Sequence, residues 1–281
     1  MTAVPENVGV IGGGRMGAGI AHAFLLAGAR VHVVEQDAAA VSAAQARVGA
    51  LLQGSQDRGM TVPDETALSV GTDVAPFAAC GLVVEAVPED AELKVQALAR
   101  AEAVLGAQSV LASNTSSLSI EALAAVLERP AAFLGMHFFN PVPSSKLVEL
   151  VVGPQTAEQT RERAVGWIAA LGKAPIVVQD APGFASSRLG VALGLEAIRM
   201  VEEGVASAAD IDAAMQLGYG HPMGPLRTTD IVGLDVRLAI AEELHTRLGD
   251  RFAPPELLRR LVAEGRLGRK TGQGFYEWSE R

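Results

Sequence analysis

Short apolar runs recur along the first two thirds of the chain, each ended by a polar or glycine-rich tip. Val8 to Ile11, Val31 to Val34, Gly81 to Val87, Ser109 to Ala112, Ala132 to Phe138, Lys146 to Val152 and Pro175 to Val178 read as extended segments. Between them, Ala18 to Leu26, Ala38 to Leu52, a segment following Pro88-Glu89-Asp90 through Val104, and Thr156 to Leu171 read as helices. Gly54 to Gly59 and Pro63 break the periodicity, which predicts an excursion beyond the compact core. Repetition of strand, polar tip and helix is the signature of βαβ units, with ligand groups at the carboxyl ends of the strands. After the junction Asp180-Ala181-Pro182-Gly183-Phe184 the pattern becomes mostly helical, over Ala185 to Glu203, Ser207 to Leu217, Leu234 to Leu248 and Pro254 to Glu264. Residues 1–181 are therefore expected to form an α/β domain and residues 182–281 a second, all-helical domain.

The first apolar run leads into Gly12-Gly13-Gly14-Arg15-Met16-Gly17, where Gly12, Gly14 and Gly17 have G-x-G-x-x-G spacing. Gly12 permits the tight turn, Gly14 lets the backbone approach a pyrophosphate, and Gly17 lets the helix lie close to the sheet. Unpaired N–H groups at the helix start, next to Arg15 and Met16, complete an anion site. Glu35, eighteen residues past Gly17, ends the second run, where a carboxylate can accept hydrogen bonds from both ribose hydroxyls. A 2′-phosphate beside it would meet like charge, and no Arg follows immediately. The expectation is a Rossmann-like, doubly wound domain that prefers NAD to NADP; the alternative is a glycine-rich turn in some other α/β protein.

Composition narrows the function classes. The 281 residues are 49% hydrophobic and 20% charged, a globular composition long enough for two domains. No apolar stretch has transmembrane length and no basic-then-apolar leader precedes the first strand, so a cytoplasmic protein with no membrane partner is expected. The net charge of −9, without a block of Lys or Arg, argues against nucleic acid. The single cysteine, Cys80, excludes an intrachain disulfide and reads as a core residue. The five histidines form no recognised ligand spacing, so no metal is expected.

His137 and Glu149 each sit in or beside an extended segment, with a proline-bracketed turn between. If the segments pair, imidazole and carboxylate face each other across the ladder. Such a His can take the hydroxyl proton while a secondary alcohol surrenders its hydride, and can return it in reduction. Ser116, at a strand tip, and Asn140, three residues past His137, can donate to the reacting oxygen. The same residues also fit structural roles: a buried His–Glu hydrogen bond without chemistry, Ser116 as a turn residue, and Asn140 as a cap before Pro141.

Several blocks together resemble the L-3-hydroxyacyl-coenzyme A dehydrogenases, especially the short bacterial 3-hydroxybutyryl-coenzyme A enzymes. They are Gly12 to Ala21, Ala112 to Ile120, His137-Phe138-Phe139-Asn140-Pro141-Val142-Pro143, Lys146-Leu147-Val148-Glu149, Pro182-Gly183-Phe184 and Gly268 to Tyr276. The resemblance implies a nucleotide domain followed by a helical domain that forms a homodimer, with an acyl-coenzyme A substrate in the cleft between the domains. It also implies that His137 is the acid/base, that Glu149 orients it, that Ser116 bonds the reacting oxygen, and that Asn140 shares the pocket. Glu35 matches the ribose-binding acid, and Glu89 and Lys94 match positions lining the cofactor. The helical excursion around Arg47 to Met60 is implied to cover coenzyme A, with Arg47 and Arg58 as its positive charges. Where the family usually has Asn, this chain has Ser187, so a substrate contact there becomes water-mediated. A dehydrogenase of a coenzyme A-free hydroxy acid or sugar acid, and a noncatalytic dinucleotide-binding protein, are the alternatives.

Overall fold

The computed structural model describes residues 3–278. The chain divides into two compact units, one ending at Ala181 and the other beginning at Pro182. In the first unit the elements are β1 (Asn7–Ile11), α1 (Arg15–Leu26), β2 (Arg30–Val34), α2 (Ala38–Gln56), β3 (Leu68–Gly71), β4 (Leu82–Glu85), α3 (Ala91–Glu102), β5 (Val110–Ser113), α4 (Ile120–Ala124), β6 (Phe133–Phe138), β7 (Leu147–Val152), α5 (Glu158–Ala170) and β8 (Ala174–Gln179). One eight-stranded sheet runs β3-β2-β1-β4-β5-β6-β7-β8. Its strands are parallel except that β7 runs antiparallel to β6 and, with it, turns β8 over as well. The order reverses direction between β1 and β4, and a Rossmann-like sheet opens its ligand crevice at that reversal.

Register aligns the functional tips. Val34, Ile11, Glu85, Ser113 and Gly135 form one row across five strands. The residues that follow that row, Gly12 to Gly17, Glu35, Glu89, Ser116 and His137, all emerge at the same end of the sheet. The inner strands β1, β2, β4, β5 and β6 are buried because Val8, Val10, Val31, Val33, Leu82, Val84, Val110, Ala112, Leu134 and Met136 pack into one core with Ile20, Phe24 and Trp167 from the helices. Cys80 is also buried, and burial pushes its thiol up to about 12, so it is inert near neutral pH.

Residues 47–60 depart from the expected excursion. α2 continues through Gly54 to Gln56 as part of one nineteen-residue helix. The turn that follows it closes at Gly59, φ +78°, where Met60 N–H reaches back to the Ser55 carbonyl in a Schellman turn. Ser55 Oγ lies 2.8 Å from His22 Nε2, tying the end of α2 to α1. A lone glycine weakens a helix by only about 1 kcal/mol, and this tertiary tie outweighs it. The chain after it forms β3, an edge strand too short to show a period in the sequence.

The second unit is helical: α6 (Ser186–Glu202), α7 (Ala208–Tyr219), α8 (Pro225–Val232), α9 (Leu234–Leu248) and α10 (Glu256–Ala263) surround Leu195, Ile198, Leu226, Leu234, Leu244 and Leu258. Ser207 caps α7 by accepting from Asp210 N–H at 3.2 Å, the capping spacing visible in the sequence. α8 is an addition to the sequence-derived elements. Its N-terminus is capped by Asp212 of α7, which accepts from Leu226 and Arg227 N–H at 2.8 and 2.9 Å. The carboxylate of buried Asp230 accepts from the N–H groups of Phe275 and Tyr276, both at 2.9 Å, and from Trp278 Nε1 at 2.8 Å. The Gly268 to Tyr276 block therefore wraps a buried acid, and a Cβ at Gly274 would meet Asp230 Oδ1 at 2.2 Å.

Candidate active site

The glycine turn has the shape a dinucleotide needs. Gly12 adopts φ +88°, and its N–H reaches the Val34 carbonyl at 2.8 Å. A Cβ at Gly17 would stand 1.7 Å from the Gly12 carbonyl oxygen, so no side chain is tolerated where α1 crosses the turn. A Cβ at Gly14 would meet nothing within 4 Å, which leaves the outer side of the turn open. Gly14 caps α1 without a side-chain hydrogen bond, and the first turn carries no acid. The N–H groups and the positive helix end thus remain available to an anion. These residues fit a pyrophosphate, and Arg15 and Met16 are the first two residues of α1 after the turn.

Glu35 plays two parts at the turn. Its Oε1 accepts from Gly13 N–H at 2.6 Å, which fixes the loop, and Oε2 makes only a 3.3 Å contact with Gln36 N–H. One carboxylate oxygen is therefore held by the loop, and the other is only weakly engaged. Arg47 Nη1 donates to the Gly13 carbonyl at 3.3 Å, so this residue serves the glycine turn from α2. Arg58 Nη2 is turned to Ser55 Oγ at 3.2 Å.

A buried ionic chain underlies the next strand tips. Lys94 is 1% exposed and spends its three N–H donors on Glu85 Oε1 at 2.8 Å, the Val87 carbonyl at 3.1 Å and Glu89 Oε2 at 3.3 Å. Lys94 accordingly does not present its ammonium at the cofactor surface; it holds two carboxylates from beneath. Glu85, fully buried, also accepts from Ser113 Oγ and Val87 N–H. Glu89 Oε1 gathers Thr115 Oγ1 at 2.7 Å, Ser116 N–H at 2.8 Å, Ser117 N–H and Oγ at 3.0 Å, and Ser116 Oγ at 3.2 Å. Burial pushes the Glu89 carboxyl up, but Lys94 and the donors from Thr115, Ser116 and Ser117 outweigh it and hold the pKa at about 2. One oxygen cannot accept five good hydrogen bonds. The 3.2 Å contact is the weakest, so the Ser116 hydroxyl is the donor most readily redirected to a ligand.

Sequence reasoning missed Glu85. The signal was an acid inside the apolar run Leu82-Val83-Val84-Glu85-Ala86, a placement that demands a buried partner.

His137 and Glu149 are direct cross-strand partners on β6 and β7. His137 Nδ1 lies 2.8 Å from Glu149 Oε2, and both residues are buried. A carboxylate can only accept, so Nδ1 carries the hydrogen and Nε2 is the nitrogen able to take a proton. The Phe139 ring stands 4.4 Å from the imidazole, centroid to centroid, and packs against it. Asn114, at the tip of β5, accepts from Phe138 N–H at 2.9 Å and clamps the His137 strand to the Ser116 loop. Asn140 follows β6 at an exposed position, and Ser187 lies half-buried in the first turn of α6. Among the described residues, no group of three or more His, Cys, Asp or Glu side chains could hold a metal ion, and no helix is long and apolar enough to cross a membrane.

Comparison with known proteins places this arrangement. The family profile for the 3-hydroxyacyl-CoA dehydrogenase NAD binding domain matches residues 7–181, and that for the 3-hydroxyacyl-CoA dehydrogenase C-terminal domain matches residues 183–278. The chain is 43% identical to a probable 3-hydroxybutyryl-CoA dehydrogenase of Deinococcus radiodurans, across 96% of this chain and 99% of that one. It is 40% identical to the 3-hydroxybutyryl-CoA dehydrogenase of Bradyrhizobium diazoefficiens, across 99% and 97%. The crystal structure of (S)-3-hydroxybutyryl-CoA dehydrogenase from Ralstonia eutropha matches with a TM-score of 0.93 at 40% identity, covering 98% of this chain and 100% of that one.

Proposed function

The chain belongs to the 3-hydroxyacyl-CoA dehydrogenase family, and from that premise we propose that it reversibly oxidises a short-chain L-3-hydroxyacyl-CoA, such as 3-hydroxybutyryl-CoA, to the 3-oxoacyl-CoA with NAD. The observation that carries the reading is the His137–Glu149 pair, 2.8 Å apart at the same end of the sheet as a glycine turn shaped for a dinucleotide.

Bound NAD supplies the acceptor for the hydride leaving C3. The chain's own residues move the proton. His137 takes it from the 3-hydroxyl at Nε2, and Glu149 stabilises the imidazolium through Nδ1. In reduction the same imidazolium returns it. Ser116, released from its weakest bond to Glu89, donates to the reacting oxygen, and Asn140 completes the polar surround. Glu35, Gly12, Gly14 and Gly17 hold the adenosine and pyrophosphate end, with Arg15, Met16 and Arg47 beside them, while Glu89 and Lys94 act through the serine loop that they anchor. Ser187 and Arg58 are assigned to the substrate.

The test is NADH oxidation with acetoacetyl-CoA against free 3-oxo acids of the same length. At least a hundredfold preference in kcat/KM for the thioester is expected; equal rates would remove coenzyme A from the assignment.

Cofactor choice gives a second test. Glu35→Ser combined with Gln36→Arg is expected to move the NADH-to-NADPH ratio of kcat/KM by at least tenfold toward NADPH, because like charge is removed and a cation supplied. Absolute activity also falls, since Gly13 N–H loses its acceptor. An unchanged ratio in initial-rate assays contradicts the ribose role.

The proposal extends to a homodimer through the helical unit. In that unit Leu217 and Tyr219, at the end of α7, are 88% and 79% exposed, an apolar surface that a second copy would cover.

A further inference from the structure

Arg237, on α9, is 5% exposed and its side chain makes no hydrogen bond or ion pair among the described residues of its protomer, its Nε being sealed from solvent as well. Thr229, on α8, is fully buried and leaves Oγ1 without a partner. Both face the glycine side of α6. A Cβ at Gly194 would stand 3.2 Å from Thr229 Oγ1 and 3.6 Å from Arg237 Nε, and one at Gly190 would stand 3.6 Å from Nη1. Burial pushes the guanidinium down only to about 10, so it stays charged at neutral pH. A buried cation with no acceptor is strongly unfavourable. The buried acids of this unit do not relieve it: Asp212 serves Leu226, Arg227 and the Tyr276 hydroxyl, and Asp230 serves Phe275, Tyr276 and Trp278.

We propose that the missing acceptor is a carboxylate of a second copy of this chain, received by the guanidinium fork of Arg237 beside Thr229. The proposal rests on the homodimer reading and deepens it by naming the polar contact that sets its register. Exposed apolar residues adjoin the site in sequence: Leu189 next to Gly190, Val232 three residues past Thr229, and Val236 next to Arg237. Exposed apolar residues of this kind are what an interface offers around a desolvated ion pair. A two-fold interface is self-complementary, so each copy gives a carboxylate and receives one. The chain has carboxylates in excess, 32 acidic against 23 basic residues. A guanidinium is the cation suited to such a buried, bidentate contact.

The test is sedimentation velocity of the full chain over a range of protein concentrations, for wild type, Arg237→Met and Arg237→Lys. Thermal unfolding of wild type is followed in parallel against protein concentration and against added sodium acetate or chloride. Wild type is expected to be dimeric, with a melting temperature that rises with protein concentration. Arg237→Met is expected to raise the dimer dissociation constant at least tenfold, because it strands the partner carboxylate. Arg237→Lys, which keeps the charge and the fold but loses the fork, is expected to raise it at least threefold. A dimeric wild type whose dissociation constant is unchanged in both variants overturns this proposal and leaves the homodimer reading standing. A monomeric wild type at every concentration overturns both. A melting temperature that follows acetate or chloride and not protein concentration assigns the site to a small anion and overturns the second copy as its source.

Discussion

Replacing His137 with Gln is expected to lower kcat by about 10²–10⁴ while leaving the NADH dissociation constant unchanged, because under the proposed mechanism the change removes the proton carrier and little else. Gln reaches a similar distance and can still donate an N–H toward Glu149, so the β6–β7 ladder keeps its polar contact. It cannot take a proton at neutral pH. By the usual conversion, the loss corresponds to about 3–5 kcal/mol of barrier. NADH affinity is spared because the glycine turn and Glu35 are carried by β1, α1 and β2, remote in the sheet order from β6. Glu149→Ala is expected to reduce kcat as well, and the double variant to be no slower than His137→Gln alone, since the two residues act as one unit. Steady-state rates with acetoacetyl-CoA, beside a fluorescence titration of NADH, measure all of this. Turnover within threefold of wild type in His137→Gln would remove the acid/base role.

Local chemistry was legible in the sequence, and long-range pairing was not. The Gly12 to Gly17 turn could be read because each glycine answers a local steric demand, and the Gly12 carbonyl beneath Gly17 shows how severe that demand is. The helical character of the second unit followed from apolar spacing and from the Ser207 cap, four residues that contain their own explanation. α8 stayed hidden because its cap, Asp212, belongs to the preceding helix. Asp230 likewise stayed hidden, since an acid at that position announces nothing until Phe275, Tyr276 and Trp278 close over it. In the stretch 47–60 the glycines signal a break locally, and the His22–Ser55 tie that overrides them is a long-range contact with no local signature. His137 and Glu149 could be nominated from their proline-bracketed spacing, but the sequence could not supply their register; a slip of one residue would turn the two side chains to opposite faces.

The buried chain beneath the serine loop sets the other large effect. Lys94→Met is expected to destabilise the first unit by about 3–5 kcal/mol, because it leaves the fully buried Glu85 and the partly exposed Glu89 without their shared cation. Glu85→Gln added to Lys94→Met is expected to restore part of that stability, since the orphaned buried charge is then gone. It is not expected to restore activity to the same degree, because Glu89 still lacks the cation that fixes it under Thr115, Ser116 and Ser117. The pH dependence has a definite sign. The Glu89 carboxyl is held at about 2 in the folded state against an ordinary 4.5, so its contribution is fully present above pH 4.5 and is lost as pH falls toward 2. Removing Lys94 raises the folded pKa toward the ordinary value and shrinks this contribution, so acid unfolding of the variant begins at higher pH. Urea midpoints at neutral pH and an acid titration of the far-ultraviolet signal read both effects. If neither the midpoint nor the acid limb moves, Lys94 does not carry the charge balance of these strand tips, and the anchoring of Ser116 must lie elsewhere.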